Sequence, residues 1–489
     1  MSASVLTLTR AVGEVPALEP KAWRDGLRQR LGAGHRAVTL YARRRGDDAL
    51  LTSVTRAPDG ALDVSRTAVT TQFGYHELTS EFPALHCFER EMHEQTGVRV
   101  AGHPWLKPVR FEGKEQKDMA RYPFYRVEGK EVHEVAVGPI HAGVIEPGSF
   151  RFMCHGEQVA HLEIHLGYQH RGVERRLLEG DPRRLRPLVE TIAGDTSVAH
   201  AWAYCAALES LAGCEVAPGA ERMRAAALEL ERVAMHLAGL SGLAADIGFL
   251  QGATTYGRLR TTAINTSMRL CGSRFGRGAV RVGGAGTRCP ADVRGVVRAN
   301  LDLLRRDTAI IDECFLRAQT VQHRLVGVGV VTEATARALG LVGMAARASG
   351  VAIDARQGAA GAYAANPVAA VVAGGGDCMA RARQRVDEVQ ASLAWLAAAF
   401  AEEVDGGEAL VPAGALAPST LAVSVVEGWR GEVVHCLETG EDGALAHYKV
   451  QDPSLRNWMG LAVAVRRNEI SDFPICNKSF DLSYCGNDL

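Results

Sequence analysis

The sequence predicts an α+β protein: a small N-terminal α+β domain followed by a large, mainly helical bundle domain with β-hairpins at its N- and C-terminal ends. Three observations predict it. Apolar and polar residues alternate with a period of two in short runs before residue 170, and strand-like runs return after Pro418. Between them, from Asp181 to Glu403, apolar residues recur at helical spacing. The length of 489 residues exceeds one ordinary core.

The N-terminal unit spans residues 20 to about 110. Ala37 to Ala42, Leu50 to Arg56 and Asp63 to Thr71 read as strands, the first two around the Arg43-to-Asp48 turn. The stretch Thr79 to Pro108 begins as a helix, with Phe82, Leu85, Cys87 and Phe88 near helical spacing, and ends in a Gly-His-Pro loop. Its charged residues Glu89, Arg90, Glu91 and Glu94 read either as a solvated face or as a docking surface for a neighbouring protein. Glu112 to Arg126, with Lys114, Glu115, Lys117, Asp118 and Arg121, has the charge density of a surface linker. The domains are accordingly placed at 1–112 and 132–489, with a linker at 113–131.

The second domain opens on Gly138 to Arg176, which concentrates His, Glu, Tyr and Arg between glycines. Ser149 to Cys154 and His161 to Leu166 alternate around a His155-Gly156-Glu157 turn, which reads as a hairpin with one buried face. Tyr168, Gln169, His170, Arg171 and Glu174 follow at the start of a predicted helix. Further helices are predicted at Glu221 to Leu240, Val293 to Arg324, Glu333 to Ala348 and Met379 to Glu402, from Ala and Leu content and periodicity. Glycines at 283–286 and 374–376 mark loops, and Arg281 to Thr287 is a weak phosphate-loop pattern without a preceding strong strand. Strands return at Leu421 to Val426, Glu432 to Leu437 and Ala446 to Val450.

Composition excludes several functions. Lys plus Arg (55) nearly balances Asp plus Glu (56), so no global field gathers nucleic acid or an anionic bilayer. The apolar stretches Val233 to Thr255 and Leu325 to Ala348 carry His236 and Asp246, and Glu333, Arg337 and Arg347, so neither reads as a bilayer span. The N-terminus lacks the pattern of a secretory signal, which makes a cytoplasmic protein the expectation. None of the eleven cysteines forms a Cys-x-x-Cys pair, and buried thiols are expected rather than a disulfide frame.

Four motifs carry a resemblance over almost the whole chain. Glu89-Arg90-Glu91 with Gly97 and Gly102-His103-Pro104 resembles the C-type component of NADH-quinone oxidoreductase (complex I). Gly138-Pro139-Ile140-His141-Ala142-Gly143 with Glu146-Pro147-Gly148 resembles the hydrogenase form of the first loop of the D-type domain. The segment from His165 to Glu174 is similar to HxGYxHRGxE of both branches. Trp429 to Glu432 and Asp452 to Trp458 resemble the C-terminal RGE and PSxxN segments. The chain thus resembles the fused C and D subunits of complex I and the catalytic subunits of group 4, energy-converting NiFe hydrogenases such as formate hydrogenlyase and hydrogenase-4. The fold this implies is that of a NiFe hydrogenase large subunit behind a C-like domain.

The departure from the hydrogenase branch is specific. A NiFe centre is held by four thiolates from two Cys-x-x-Cys pairs. At the matching positions stand Ala193 and Thr196, then Ser483 and Gly486, with Cys485 one position off. The resemblance therefore implies neither nickel nor hydrogen chemistry, no other metal, and no tail for a maturation protease. What it leaves is the complex I use of the cleft, where the first-loop His and the Tyr of the GYxHRG segment donate to a quinone. Those positions match His141 and Tyr168, with a partner's iron-sulfur cluster beside them. Glu146 matches the hydrogenase acid that passes protons, and Arg171 and Arg430 are placed to offset charge as quinone or cluster is reduced.

The residues leave alternatives open. His141 reads as a proton donor or as a loop histidine, Tyr168 as a cleft donor or a buried hydroxyl, Glu146 as a relay acid or a capping carboxylate. His165 and His170 read as structural, and Cys476 and Cys485 as buried or free thiols. The implied partners are a B-type, hydrogenase small subunit-like iron-sulfur subunit, a ferredoxin-like subunit, and membrane antiporter-like and H-type subunits, with the chain peripheral on the inner face of the cell membrane. Three functions stand in order: quinone-linked electron transfer coupled to protons, a non-catalytic scaffold between electron-input and membrane modules, and a hydrogenase with substitute ligands.

Overall fold

The computed structural model describes residues 5–112, 119–141, 145–287, 289–368, 370–401, 410–411 and 413–489. The linker residues Lys114, Glu115, Lys117 and Asp118, the motif residues Ala142 and Gly143, and the end of the last predicted bundle helix at Glu402 lie outside them.

Near the N-terminus, Arg36–Arg45, Asp48–Arg56 and Leu62–Thr70 form a three-stranded antiparallel sheet. Period-two alternation gives it two apolar faces. Leu40 and Leu51 pack with Trp23 and Leu27 of helix Pro20–Gly32 and with Phe88 and Met92 of helix His86–Thr96. Val38, Tyr41, Val54 and Val64 turn the other way, onto Leu421, Val423, Val434 and Cys436 of a second sheet.

That second sheet has the strand order Leu6–Ala11, Thr420–Glu427, Glu432–Thr439, Leu445–Gln451, all antiparallel. The chain's first strand therefore completes a sheet built from its C-terminal region, a pairing that local pattern does not reveal. Its two central strands are buried at every position, because the first sheet covers one face and helix Ser197–Ala212 the other. Ser424 Oγ donates to the Ala203 carbonyl across that contact at 2.6 Å.

The predicted hairpin is a three-stranded sheet: Val132–Val137 pairs with Ser149–His155, which pairs with Gln158–His165. Both faces are covered, not one. Phe150, Phe152 and Leu162 enter the main core, while on the far face Glu163 and His165 are also buried. Residues 103–112 and 119–125 lie over that face, where Lys107 Nζ and the Tyr125 N–H both donate to Glu163. The predicted helix after Gly167 is a single turn, Val173–Arg176. Tyr168 to Arg171 instead form a loop, with Gly167 at φ +101° where a Cβ would lie 2.3 Å from the Arg110 carbonyl oxygen.

The bundle is led by Pro218–Asp246, which packs against Leu250–Cys271 and Cys378–Ala399. Two predicted helices are each two. Val293 to Arg324 divides at Ala318, whose ψ of 125° is extended, into Ala291–Arg317 and Gln319–Leu325. Glu333 to Ala348 divides at Gly340 into Glu333–Leu339 and Gly343–Ala348. Gly340 sits at φ +64° against Ala84, a left-handed cap that apolar periodicity passes straight through. No helix among the described residues is long and apolar enough to cross a membrane.

The charged face of helix His86–Thr96 is not solvated. Glu89 accepts from Tyr75, Leu78 and Thr79, Arg90 donates to the carbonyls of Lys107 and Pro108, and Glu91 meets Arg110 and Lys449. All three are buried, so the helix docks onto its own chain through its ions.

Candidate functional site

The residues singled out by the motifs converge on the C-terminal segment 481–489. Asp488 accepts from the N–H groups of Gly167 and Gln169 at 2.8 and 2.9 Å, and His170 Nδ1 donates to the Asp488 carbonyl at 2.8 Å. Arg171 donates from its backbone to the Leu489 carbonyl and from its guanidinium to those of Thr191, Ile192 and Cys485. The polar loop after Gly167 thus serves as the socket of that segment.

Glu146 reaches the same place. Its carboxylate accepts from the N–H groups of Tyr484 and Cys485, both at 3.2 Å, at the start of the short helix Tyr484–Asp488. Burial and then the Glu146 carboxylate push the Cys485 thiol up to about 12, so it stays protonated. Ser483 Oγ accepts from Gly486 N–H at 2.9 Å and lies 3.4 Å from Cys485 Sγ.

Arg430 lies behind them, 5 % exposed, gripping both oxygens of Asp195 at 2.6 and 2.7 Å, with Thr196 Oγ1 at 3.1 Å. It also donates to the Asp481 carbonyl and stacks 3.8 Å over Trp429. Its charge is already matched by Asp195. Next to this clasp, Glu231 accepts from Val198 N–H and Ala199 N–H, and burial raises its carboxyl to about 8.

A NiFe centre does not fit these residues. Ala193 has no donor atom, and Thr196 is fully buried and spent on Asp195 and Arg430. At Gly486 a Cβ would lie 2.6 Å from Asp452 Cγ, so a cysteine there would collide with the carboxylate that holds His200 at 3.1 Å. Ala193, Thr196, Ser483 and Gly486 are taken up in packing and hydrogen bonds.

His141 and Tyr168 each contact the end of the sheet where Ser149 pairs with His165. His141 Nε2 donates to the Gly148 carbonyl at 2.9 Å, with its ring 5.9 Å from Phe150. The Tyr168 hydroxyl is hydrogen-bonded to His165 Nδ1 at 3.2 Å, and burial raises the phenol above its ordinary value. Both side chains are half-buried, and Ile140 and Ile145 beside them are exposed.

Sequence reasoning missed the Asp195 partner of Arg430, the raised Glu231, and a cavity of about 470 Å³ that neither His141 nor Tyr168 lines. Asp195 stands beside the altered ligand position Thr196, which was a signal; Glu231 reads locally as one more charge on an amphipathic helix. Cys476 is buried as expected, and its Sγ lies 4.0 Å from that of Cys378, 98 residues earlier.

Residues 246–416 match the family model described as respiratory-chain NADH dehydrogenase, 49 Kd subunit. The carbon monoxide-induced hydrogenase of Rhodospirillum rubrum is 30% identical over 353 residues, covering 71% of this chain and 97% of that protein. Formate hydrogenlyase subunit 5 of Escherichia coli is 28% identical over 85% of this chain and 76% of its own length. The fused C/D subunit of NADH-quinone oxidoreductase from Phocaeicola vulgatus is 26% identical over 78% of this chain and 81% of its own. The chain therefore belongs to the family of complex I 49 kDa-type subunits and energy-converting hydrogenase large subunits.

Proposed function

We propose that this chain is the C/D-type subunit of a membrane-associated oxidoreductase complex that passes electrons to a quinone-like acceptor, coupled to proton transfer, and carries out no hydrogen chemistry. The supporting observation is that Ala193, Thr196, Ser483 and Gly486, which match the hydrogenase ligand positions, are taken up in packing and hydrogen bonds, while His141 and Tyr168 meet one end of the hairpin sheet and Glu146 caps Tyr484 and Cys485. In this reading residues 1–112 are the C-like domain, 113–131 the linker and 132–489 the D-type domain. The partners are the B-type iron-sulfur, ferredoxin-like, H-type and antiporter-like subunits, with the chain held peripherally on the inner face of the membrane.

The residues at that end suit a quinone head group in type: an imidazole and a phenol, both half-buried, beside exposed Ile140 and Ile145. His141 and Tyr168 would hold a quinone head group there, each donating to one carbonyl oxygen after leaving Gly148 and His165, and the quinone would accept two electrons, one at a time from the partner's iron-sulfur cluster, with two protons. Glu146 is engaged elsewhere, capping Tyr484 and Cys485. It acts as a proton store only by leaving that cap.

The second reading, a non-catalytic scaffold, is favoured by one observation: His141 Nε2 and the Tyr168 hydroxyl already have partners within the chain. Quinone reduction by the purified complex separates the two. His141→Ala and Tyr168→Phe are each expected to lower the rate about 10²-fold, the scale of a lost proton donor. Unchanged rates in both variants leave only the scaffold.

A further inference from the structure

Arg381, on the first turn of helix Cys378–Ala399, is a buried cation without a carboxylate. It is 1 % exposed, and among the described residues no Asp or Glu forms an ion pair with it. Its guanidinium donates to the carbonyls of Gly376 and Gly329 at 2.7 and 2.9 Å, to Ser479 Oγ at 2.8 Å and to Cys378 Sγ at 3.3 Å, and it stacks 4.2 Å over Phe480. Buried charges are ordinarily matched by an opposite charge. Of the groups Arg381 touches, the one that ionises to an anion is the Cys378 thiol. Cys378 is also the first residue of a 22-residue helix, where the positive end of the dipole favours a thiolate.

Cys476 Sγ, on helix Phe473–Phe480, lies 4.0 Å from Cys378 Sγ, and both residues are fully buried. Cys476 and then Arg381, acting against burial, hold the Cys378 thiol below its ordinary value, while Cys378 and burial push the Cys476 thiol up. One sulfur is thus the nucleophile, and its neighbour keeps its proton. A single loop covers the pair. Gly329, at φ +66°, passes so close that a Cβ there would lie 2.6 Å from Cys476 Sγ and 3.3 Å from Cys378 Sγ. Val326, Gly327 and Val330 of the same loop are exposed. Its polar ties are few: Gly327 N–H to Asp377 at 2.8 Å, Gly329 N–H to Asn468 Oδ1 at 3.0 Å, and the Val328 carbonyl to Cys378 N–H. A slight parting of this loop admits a molecule little larger than water.

We propose that Cys378 and Cys476 are a peroxide-sensitive dithiol, which one hydrogen peroxide converts to a disulfide tying helix Cys378–Ala399 to helix Phe473–Phe480. The Cys378 thiolate attacks one peroxide oxygen; the O–O bond breaks, the other oxygen leaves as hydroxide and takes up a proton, and Cys378 becomes a sulfenic acid. Cys476 then attacks that sulfur. The S–S bond forms, the S–O bond breaks, and the oxygen leaves as water with the Cys476 proton. Two electrons pass from the sulfurs to the peroxide, giving two waters. Helix Phe473–Phe480 leads directly into segment 481–489, so the bond anchors the segment on which the motif residues converge. The proposal does not depend on what binds at His141 and Tyr168.

The test uses the fully reduced full chain, treated natively with hydrogen peroxide, blocked with N-ethylmaleimide in urea, digested without reductant and read by mass spectrometry. The peptide pair joining Cys378 to Cys476 is expected to exceed every other cysteine pairing by about 10-fold and to vanish after dithiothreitol. In Cys476→Ser the sulfenic acid has no resolving thiol, so dimedone capture at Cys378 is expected to rise about 10-fold over the wild-type protein. Cys378→Ser is expected to leave Cys476 unmodified. No linked peptide from the native protein, a linked peptide that forms only when urea is present during oxidation, or dimedone capture at Cys476 in Cys378→Ser overturns the proposal. The wild-type measurement needs no variant to fold.

Discussion

Glu91 tests the buried charge clasp that joins the two ends of the chain. Its Oε1 accepts from Arg110 and, at 2.6 Å, from Lys449, and the three residues are 1, 1 and 2 % exposed. Lys449 also holds Glu174 at 2.9 Å, and Arg110 has Glu112 at 3.6 Å. Replacing Glu91 by Gln removes one negative charge and leaves two buried cations to share the remaining carboxylates. Breaking a buried pair by removing one partner costs about 3–5 kcal/mol. Glutamine retains an acceptor oxygen, which puts the expected loss near the lower end, about 3 kcal/mol. A solvated glutamate would give a change within about 0.5 kcal/mol. Urea unfolding followed by far-UV circular dichroism measures the difference. A loss below about 1 kcal/mol refutes the clasp, because no packed arrangement of these three ions makes so small a change.

Three further outcomes follow from the packing. Glu231 has a folded value near 8 against an ordinary 4.5, so its contribution to stability is full below about 4.5 and is lost as pH rises through about 8; Glu231→Gln, which stays neutral, is expected to flatten the fall in melting temperature across that window. Gly486→Cys places a side chain against Asp452 and is expected to destabilise by about 1–3 kcal/mol in the same urea assay. Cys378 has its thiol lowered to about 6, first by Cys476 beside it and also by Arg381, yet it is fully buried, so native iodoacetamide labelling read by mass spectrometry is expected to reach exposed Cys314 and to modify Cys378 only after denaturation.

The elements whose packing is local were legible in the sequence. The strands at 149–155 and 158–165 announce themselves by period two, those after Pro418 by short apolar, β-branched runs between turns, and the long helices by Ala and Leu at helical spacing. What was not legible depends on partners far along the chain. Glu89, Arg90 and Glu91 look like a wet face until Thr79, Lys107 and Lys449 close over them. The helix break at Gly340 is set by Ala84, some 250 residues earlier in the chain by a rough count, and no periodicity reports such a neighbour. The motif residues were found by type, but their roles shifted: Arg171 and Glu146 brace the last turn, while His165, read as structural, packs against the Tyr122 ring.

The pairing of Leu6–Ala11 with Thr420–Glu427 has a temporal consequence during synthesis. The first strand leaves the ribosome roughly 400 residues ahead of its partner, which at about 5–20 residues per second is a wait of some 20–80 s. Throughout that interval a Leu-Thr-Leu-Thr ribbon has unclaimed backbone on both edges and invites pairing with another nascent chain. Assembly of this protein is therefore a race between its own tail and its neighbours, and slow translation favours the neighbours.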